Sequence, residues 1–427
     1  MLLLQPARKP PRSQGRIGLA IAGGGPIGGM YELGALRALD EAIEGLDLTR
    51  LEIYVGVSSG AFLAAGLANR LSTAEMYRIF ITGDSHEARF RPEIFLQPAF
   101  MEYIRRAANL PMLAYQWWRD LLTDPTGAHL SAVVNRLGGL IPTGIFNNAE
   151  IESFLRKVFS SHGRSNDFRE LERPLYVVAV DIDTGQAVRF GGEGWQDVPI
   201  SRAVQASAAL PGLYPPVDIR GHHFVDGALR RTMHASVVLD HGVDLMIGIN
   251  PLVPFNASRA HSHPEGLDKL SQGGLPVVLS QTFRSLIHSR LELGLKGYAQ
   301  SHPGTDIVLL EPDPHDPEMF LANTFGYSRR RLLAEHAYRQ TRAQLRGRRS
   351  ALAATLAQHG LVLDDAVLDD PQRTLLRRHR NVGTRAGRAL QRLDEVLRDL
   401  ETVEPLLQAV QGQGDHQAAC HLLDTAA

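Results

Sequence analysis

The chain has 427 residues, 44% hydrophobic and 21% charged, close to the averages of soluble globular proteins and long enough to bury a large core without disulfides. Its 45 Lys and Arg against 46 Asp and Glu leave a net charge of −1, which excludes a nucleic-acid binder acting through bulk positive charge. The single cysteine, Cys420, excludes an internal disulfide framework and a multi-cysteine zinc site.

The opening Met1-Leu2-Leu3-Leu4 turns at once into Pro6, Arg8, Lys9, Pro10 and Pro11. That apolar stretch is too short, and its charges stand on the wrong side, for a signal peptide. Residues 1–15 therefore read as a disordered tail. The longest run without Asp, Glu, Lys or Arg, Ile53 to Asn69, is broken by serines and glycines, so no transmembrane segment is expected. A cytoplasmic protein is the expectation.

Residues 16–22 (RIGLAIA) read as a strand ending in the glycine cluster 23–29. Met30, Leu33, Leu36, Leu39 and Ile43 then fall on one helical face. A second strand, 51–57, runs into Ser58-Ser59-Gly60, and a small-residue helix follows over 61–71. Strand–turn–helix repeated twice predicts a mainly parallel sheet covered by helices. Residues 84–145 carry Phe90, Phe95, Phe100, Tyr103, Tyr115, Trp117 and Trp118, and read as a helical, aromatic insertion. A strand pair over 174–190 turns at Asp183-Thr184-Gly185. A helix over 201–209 ends at Leu210-Pro211-Gly212, and the strand 222–225 leads into Asp226-Gly227-Ala228. Further strands are expected over 244–250 and 305–310. Sheet signals stop near Arg329, where eight arginines and one acid, Glu335, fall between Arg329 and Arg349. Leu390, Leu393, Leu397 and Leu400 suggest one more packed helix.

Gly56-Val57-Ser58-Ser59-Gly60 is a G-x-S-x-G between a strand and a helix. A nucleophilic serine needs a tight turn that exposes its oxygen at the strand end, and small neighbours permit that turn. The loop Gly23-Gly24-Gly25-Pro26-Ile27-Gly28 matches G-x-G-x-x-G, as a dinucleotide site would. The acid that should close the next strand is missing, because that strand ends in Gly56-Val57-Ser58. Bare backbone N–H groups aimed at one oxygen, an oxyanion hole, suit the loop better. Asp226 lies at a strand end beside a glycine turn, where it serves either as a cap or as a base. His222, His223 and His234 lie nearby in sequence, yet the chain order does not fit a Ser-His-Asp hydrolase, because Ser58 follows only the second strand.

These residues together resemble the patatin-like phospholipases. The glycine loop, the G-x-S-x-G and the D-G-A turn stand in that family's order, and residues 206–217 and 181–185 look like it too. The resemblance covers residues 16–345, with the motifs within 16–232, and leaves 346–427 as a helical extension. It implies a three-layer α/β/α fold with a mainly parallel central sheet. It also implies Ser58 as nucleophile, Asp226 as base, and Gly23, Gly24, Gly25 and Gly28 as the oxyanion loop. Gly56 and Gly60 then frame the nucleophile turn, and Gly227 and Ala228 the aspartate turn. No metal or cofactor is implied, and the expected substrate is a lipid acyl ester. Ile27 departs from the pattern, since the family usually has Arg or Lys there.

Peripheral membrane contact is expected either through residues 84–145, with Trp117 and Trp118, or through the arginines from Arg329 to Arg349. Two other readings stay open. One is a catalytically reduced lipid-binding protein on the same fold. The other is a nucleotide-binding oxidoreductase using the glycine loop.

Overall fold

The computed structural model describes residues 1–8, 15–83, 143–161, 163–257, 269–321 and 329–376, with isolated positions 90, 98, 99, 112, 115 and 119. Trp117, Trp118 and most of the stretch 84–145 lie outside the described residues, as do Leu390 to Leu400.

Among the described residues there are eleven strands: β1 (Leu2–Gln5), β2 (Ile17–Ile21), β3 (Ile43–Glu44), β4 (Ile53–Val57), β5 (Leu175–Asp181), β6 (Ala187–Phe190), β7 (Val217–Ile219), β8 (His222–Asp226), β9 (Leu245–Ile249), β10 (Asp306–Leu310) and β11 (Val362–Leu363). Nine form one sheet in the order β1-β10-β9-β2-β4-β5-β8-β7, with β6 paired to β5. The centre, β10 to β5, is parallel, and the flanking pairs are antiparallel. The expected mainly parallel α/β/α architecture is observed.

The central strands read as unbroken apolar runs because both faces are covered. Side chains alternate between the faces. Leu19, Ile21, Tyr54 and Ile247 join the larger core, while Ala20, Ala22, Val55 and Met246 join the smaller one. Helices α1 (Gly25–Ala42), α2 (Ser59–Ala68), α3 (Ala149–Phe159) and α4 (Ile200–Ser207) feed the larger core. Helix α5 (Ser236–Asp240) and the long α6 (Gly274–Ser301) cover the other face. Helices α7 (Arg330–Gly347) and α8 (Arg349–Ala357) follow. No helix among the described residues is long and apolar enough to cross a membrane.

Three features depart from the expectations. Leu2–Gln5, expected in a disordered tail, is an edge strand paired antiparallel with β10, from Leu2 opposite Leu310 to Gln5 opposite Ile307. Burial of Leu2, at 2% exposure, outweighs the prolines that follow. Residues Met1–Leu375 also form one compact unit, running past the expected boundary at 345. Val362–Leu363 pairs with Ile43–Glu44, and Arg342 reaches the carbonyls of Leu368, Asp370 and Arg373 at 3.3, 2.8 and 3.4 Å. Finally, α6 is a 28-residue helix in a stretch where no element was expected.

The arginine run is largely tied down. Arg330 and Arg331 bond the carbonyls of Ile81 and Thr82 at 2.6 and 2.8 Å. Arg339 pairs with Glu335, and Arg349 pairs with Asp365 and Asp369 at 3.0 and 2.7 Å. With Arg342 buried, five of the eight arginines bond carbonyls or acids of the fold, while Arg329, Arg331, Arg339, Arg346 and Arg348 stay exposed.

Candidate active site

Strand β4 ends at Val57 and turns directly into α2, with Ser58 at φ 51° and ψ −121°. A residue bearing a β-carbon disfavours that conformation, so its surroundings must hold it. The Ser58 N–H donates to Ser207 Oγ at 2.9 Å, and that hydroxyl donates to the Val178 carbonyl at 2.6 Å. The Gly60 N–H donates to the Ala22 carbonyl at 3.2 Å. The turn is thus fastened to β2, β5 and the C-terminal end of α4. Close packing explains the glycines around it. A β-carbon on Gly60 would lie 2.4 Å from the Ala22 oxygen, and one on Gly56 would lie 2.5 Å from Ala61 Cα.

Asp226 reaches the same sheet edge from β8. Strand β5 is the shared neighbour, pairing Val178 with Val57 in parallel and Ala179 with Asp226 in antiparallel register. Asp226 is buried, at 4% exposure, and its Oδ1 accepts the Ala228 N–H at 2.9 Å. Burial pushes its carboxyl up to about 6, against the opposing pull of the Ser58 hydroxyl and the Ala228 N–H. Gly227 allows the turn to pass Val178, whose oxygen would lie 2.2 Å from an added β-carbon.

The glycine loop closes the third side. An added β-carbon on Gly23 would lie 2.7 Å from Ser58 Cβ, so the loop backbone runs against the serine. Helix α1 begins at Gly25, inside the cluster, earlier than the apolar pattern implied. Two of the four glycine N–H groups are already engaged. Gly28 donates to the Gly24 carbonyl at 3.0 Å, and Gly24 donates to Ser59 Oγ at 2.9 Å. Ser59 Oγ in turn donates to Glu32 at 3.0 Å. Glu32 is fully buried, and desolvation drives its pKa well above the ordinary carboxyl value, against the opposing pull of the Ser59 hydroxyl. Ile27, where the resemblance leads one to expect Arg or Lys, is buried in the larger core at 5% exposure.

Neither neighbouring histidine on β8 pairs with Asp226. His222 bonds Asp181 at 3.0 Å and His223 approaches Asp183 at 3.3 Å. His234 adopts φ 48°, and its ring lies 3.3 Å from the Gly227 carbonyl. Burial, then nearby arginines, lower its pKa to about 4 and leave it neutral. Among the described residues no group of three or more His, Cys, Asp or Glu is placed to hold a metal ion. Ser207, Ser59, Glu32 and His234 shape the site without a motif of their own. Ser207 and Ser59 do stand in motif stretches, but their partners are set by tertiary contact.

The family model for patatin-like phospholipase matches residues 19–239, from β2 through α5. A probable lipid hydrolase of Invertebrate iridescent virus 6 is 22% identical over 210 residues, covering 49% of this chain. The chain spans 59% of the length of that viral relative. Among solved structures, VipD from Legionella pneumophila aligns with TM-score 0.33 and 16% identity, over 76% of this chain and 68% of that one. Full-length ExoU from Pseudomonas aeruginosa aligns with TM-score 0.25 and 15% identity, over 83% and 67%. Human GIVD cytosolic phospholipase A2 aligns with TM-score 0.29 and 11% identity, over 81% and 59%.

Proposed function

The chain belongs to the patatin-like phospholipase family, and from that premise we propose that it is a serine hydrolase of lipid acyl esters working through a Ser58–Asp226 dyad. The observation that carries this reading is the meeting at one sheet edge of a serine held at φ 51° and a buried carboxyl with a pKa of about 6.

An ordinary carboxylate, with a pKa near 4, is a weak base toward a serine hydroxyl. Burial makes Asp226 a better one, and above about pH 6 it is ionised and able to accept a proton. It takes the Ser58 hydroxyl proton as Oγ attacks the ester carbonyl carbon. The carbonyl oxygen becomes an oxyanion. We assign its donors to the N–H groups of Gly25 and Ser59, the first residues of α1 and α2, which have no acceptor within their own helices. Both helices also direct their positive ends to this point. Gly24 and Gly28 then serve as loop geometry, since their N–H groups are engaged. Collapse breaks the ester C–O bond, and the leaving alcohol takes the proton from Asp226. The acyl group remains on Ser58 until water, deprotonated by Asp226, attacks the acyl carbon; the bond to Ser58 Oγ breaks, Oγ takes the proton back from Asp226, and the acid leaves.

Ile27 supplies packing where the family usually places a charge, so the reading favours substrates that need no phosphate contact from the loop, a neutral acyl ester or a lysolipid. The test is hydrolysis of a short p-nitrophenyl ester together with fluorophosphonate labelling. Both are expected to vanish in Ser58→Ala. Full hydrolysis by both Ser58→Ala and Asp226→Asn would overturn the dyad.

A further inference from the structure

Helix α6 has two apolar sides. Leu291 and Leu295 face the smaller core at 6% and 7% exposure. Leu275, Val278, Leu279, Phe283, Leu286 and Leu293 stand in solvent, from 42% for Val278 to 70% for Leu275. At about 100° per residue these six fall within an arc of about 140°, so they form one stripe along the outer side. The same arc also holds the exposed Thr282, Ser289 and Arg290, and an exposed stripe carrying six large apolar residues marks an interaction surface rather than chance exposure.

The helix is also joined to both halves of the catalytic site. Thr232 Oγ1 donates to the Ile287 carbonyl at 3.1 Å, and Arg290 donates to the Leu229 carbonyl at 2.9 Å, just past the Asp226 turn. Further along, Gln281 bonds both backbone groups of Phe255 at 3.1 and 2.8 Å, and Arg284 bonds the Val253 carbonyl at 3.3 Å. That segment begins at Pro251, whose ring lies against Gly24 and Gly28 of the glycine loop.

Cations gather beside the helix. Arg189, Arg230 and Arg231 line a cavity of about 240 Å³ with His234 and Ser236. Arg230 and Arg231 reach the Gly185 carbonyl and Ser236 Oγ (3.1 Å for the latter), not carboxylates, so their charge is uncompensated by these contacts. Arg231 and Ser236 both act on Tyr298 of α6, which places the cavity against the helix. Glu193 and Asp240 line an adjoining cavity of about 560 Å³ that shares Arg189.

We propose that the outer face of α6, with Arg189, Arg230 and Arg231 at its edge, docks the protein onto an anionic phospholipid surface. The inference rests on the acyl-ester reading above. Long-chain esters sit in membranes or micelles, and an enzyme acting on them gains from binding that interface. An apolar helical stripe buried at headgroup depth beside guanidinium groups is the arrangement that binds anionic bilayers. It moves the expected membrane contact away from the arginines of α7, most of which are engaged in the fold.

The experiment is vesicle flotation of the full chain carrying Ser58→Ala, so that binding is read without turnover. Vesicles of phosphatidylcholine alone are compared with vesicles containing phosphatidylglycerol. Binding is expected to be at least about tenfold tighter to the anionic vesicles and to weaken with salt. The pair Phe283→Glu and Leu286→Glu should lower it at least about tenfold, and Arg230→Ala with Arg231→Ala should remove the preference for anionic lipid. Both glutamates replace exposed side chains, so in the Ser58-containing protein the soluble p-nitrophenyl ester should still be hydrolysed at the parent rate. That retained rate shows the fold is intact and separates failure of docking from failure of the hydrolase reading. Flotation of the Phe283/Leu286 pair at the parent level overturns the proposal. So does self-association of the parent chain by sedimentation that the pair abolishes while vesicles bind neither protein, because the stripe would then fit a second copy.

Discussion

The Gly24 N–H donates to Ser59 Oγ at 2.9 Å, and this bond latches the glycine loop to the helix that begins beside Ser58. The latch ends in Glu32, a buried acid whose pKa desolvation raises. A carboxyl whose folded pKa is raised contributes its stability below the unfolded value, near 4.5, and loses it as pH rises. Glu32→Gln keeps an acceptor for Ser59 and removes that loss. Its melting temperature should exceed the parent's at pH 8, with the gap closing toward pH 4. Ester hydrolysis should stay within a factor of about three, because the latch survives. A variant less stable than the parent at every pH would show that Glu32 is ionised in the fold.

Asp226 gives a pH dependence of opposite use in catalysis and stability. The proposed mechanism needs the carboxylate, so kcat/KM for a soluble ester should rise about tenfold per pH unit below about 6 and level off above it. Stability runs the other way. Between about 3.8 and about 6 the folded protein holds a proton that the unfolded chain releases, so stability falls as pH rises through this window. The total is about 3 kcal/mol for a shift of about two units. Asp226→Asn should therefore be inactive yet more stable than the parent at pH 8, as read by denaturant unfolding. A flat activity profile from pH 5 to 8 would remove Asp226 from the role of base.

Ser207 tests how the nucleophile turn is held. Its hydroxyl accepts the Ser58 N–H and donates to the Val178 carbonyl, both in buried surroundings. Ser207→Ala leaves the Ser58 N–H without its acceptor, at a cost of about 1–3 kcal/mol. Because Ser207 does not touch substrate in the proposed mechanism, kcat should fall with KM nearly unchanged. Ser207→Thr should restore part of the rate if the hydroxyl is what matters.

Arg342 separates fold from surface charge in the arginine run. It is buried and donates to four carbonyls, those of Val367, Leu368, Asp370 and Arg373. Arg342→Ala should cost about 3 kcal/mol or more, since it leaves several buried carbonyls unpaired. Limited proteolysis should then open the segment 362–376 first. Equal stability of variant and parent would contradict this stapling role.

The parts of the site that were legible in the sequence are those written in local chemistry. Ser58 and Asp226 stand in turns whose small neighbours are demanded by backbone approach, as Gly60 and Gly227 show. The parallel sheet was legible because its strands are apolar throughout. Helix α6 was hidden for a physical reason. Leu291 and Leu295 face the core while Phe283 and Leu286 face outward, so apolar residues surround the helix and leave no single-faced period to detect. Strand β1 was hidden because four residues carry little pattern, and its partner lies some 300 residues away. Glu32 stands in no motif, and Ser207 stands in a family-like stretch that does not reveal its partner, since what gives both a role is which neighbour the fold brings alongside.

Strand β5 lies between the strands that deliver Ser58 and Asp226, two residues separated by 168 positions of sequence. Each owes its placement to a register with that one strand, in opposite directions. A slip of one residue in either pairing would turn a side chain to the other face and separate the pair. The intervening chain must therefore find its sheet position before any acyl chemistry begins. Turnover of even the smallest ester would then report completed long-range folding, and destabilising changes far from the site would register first as loss of the fraction able to react.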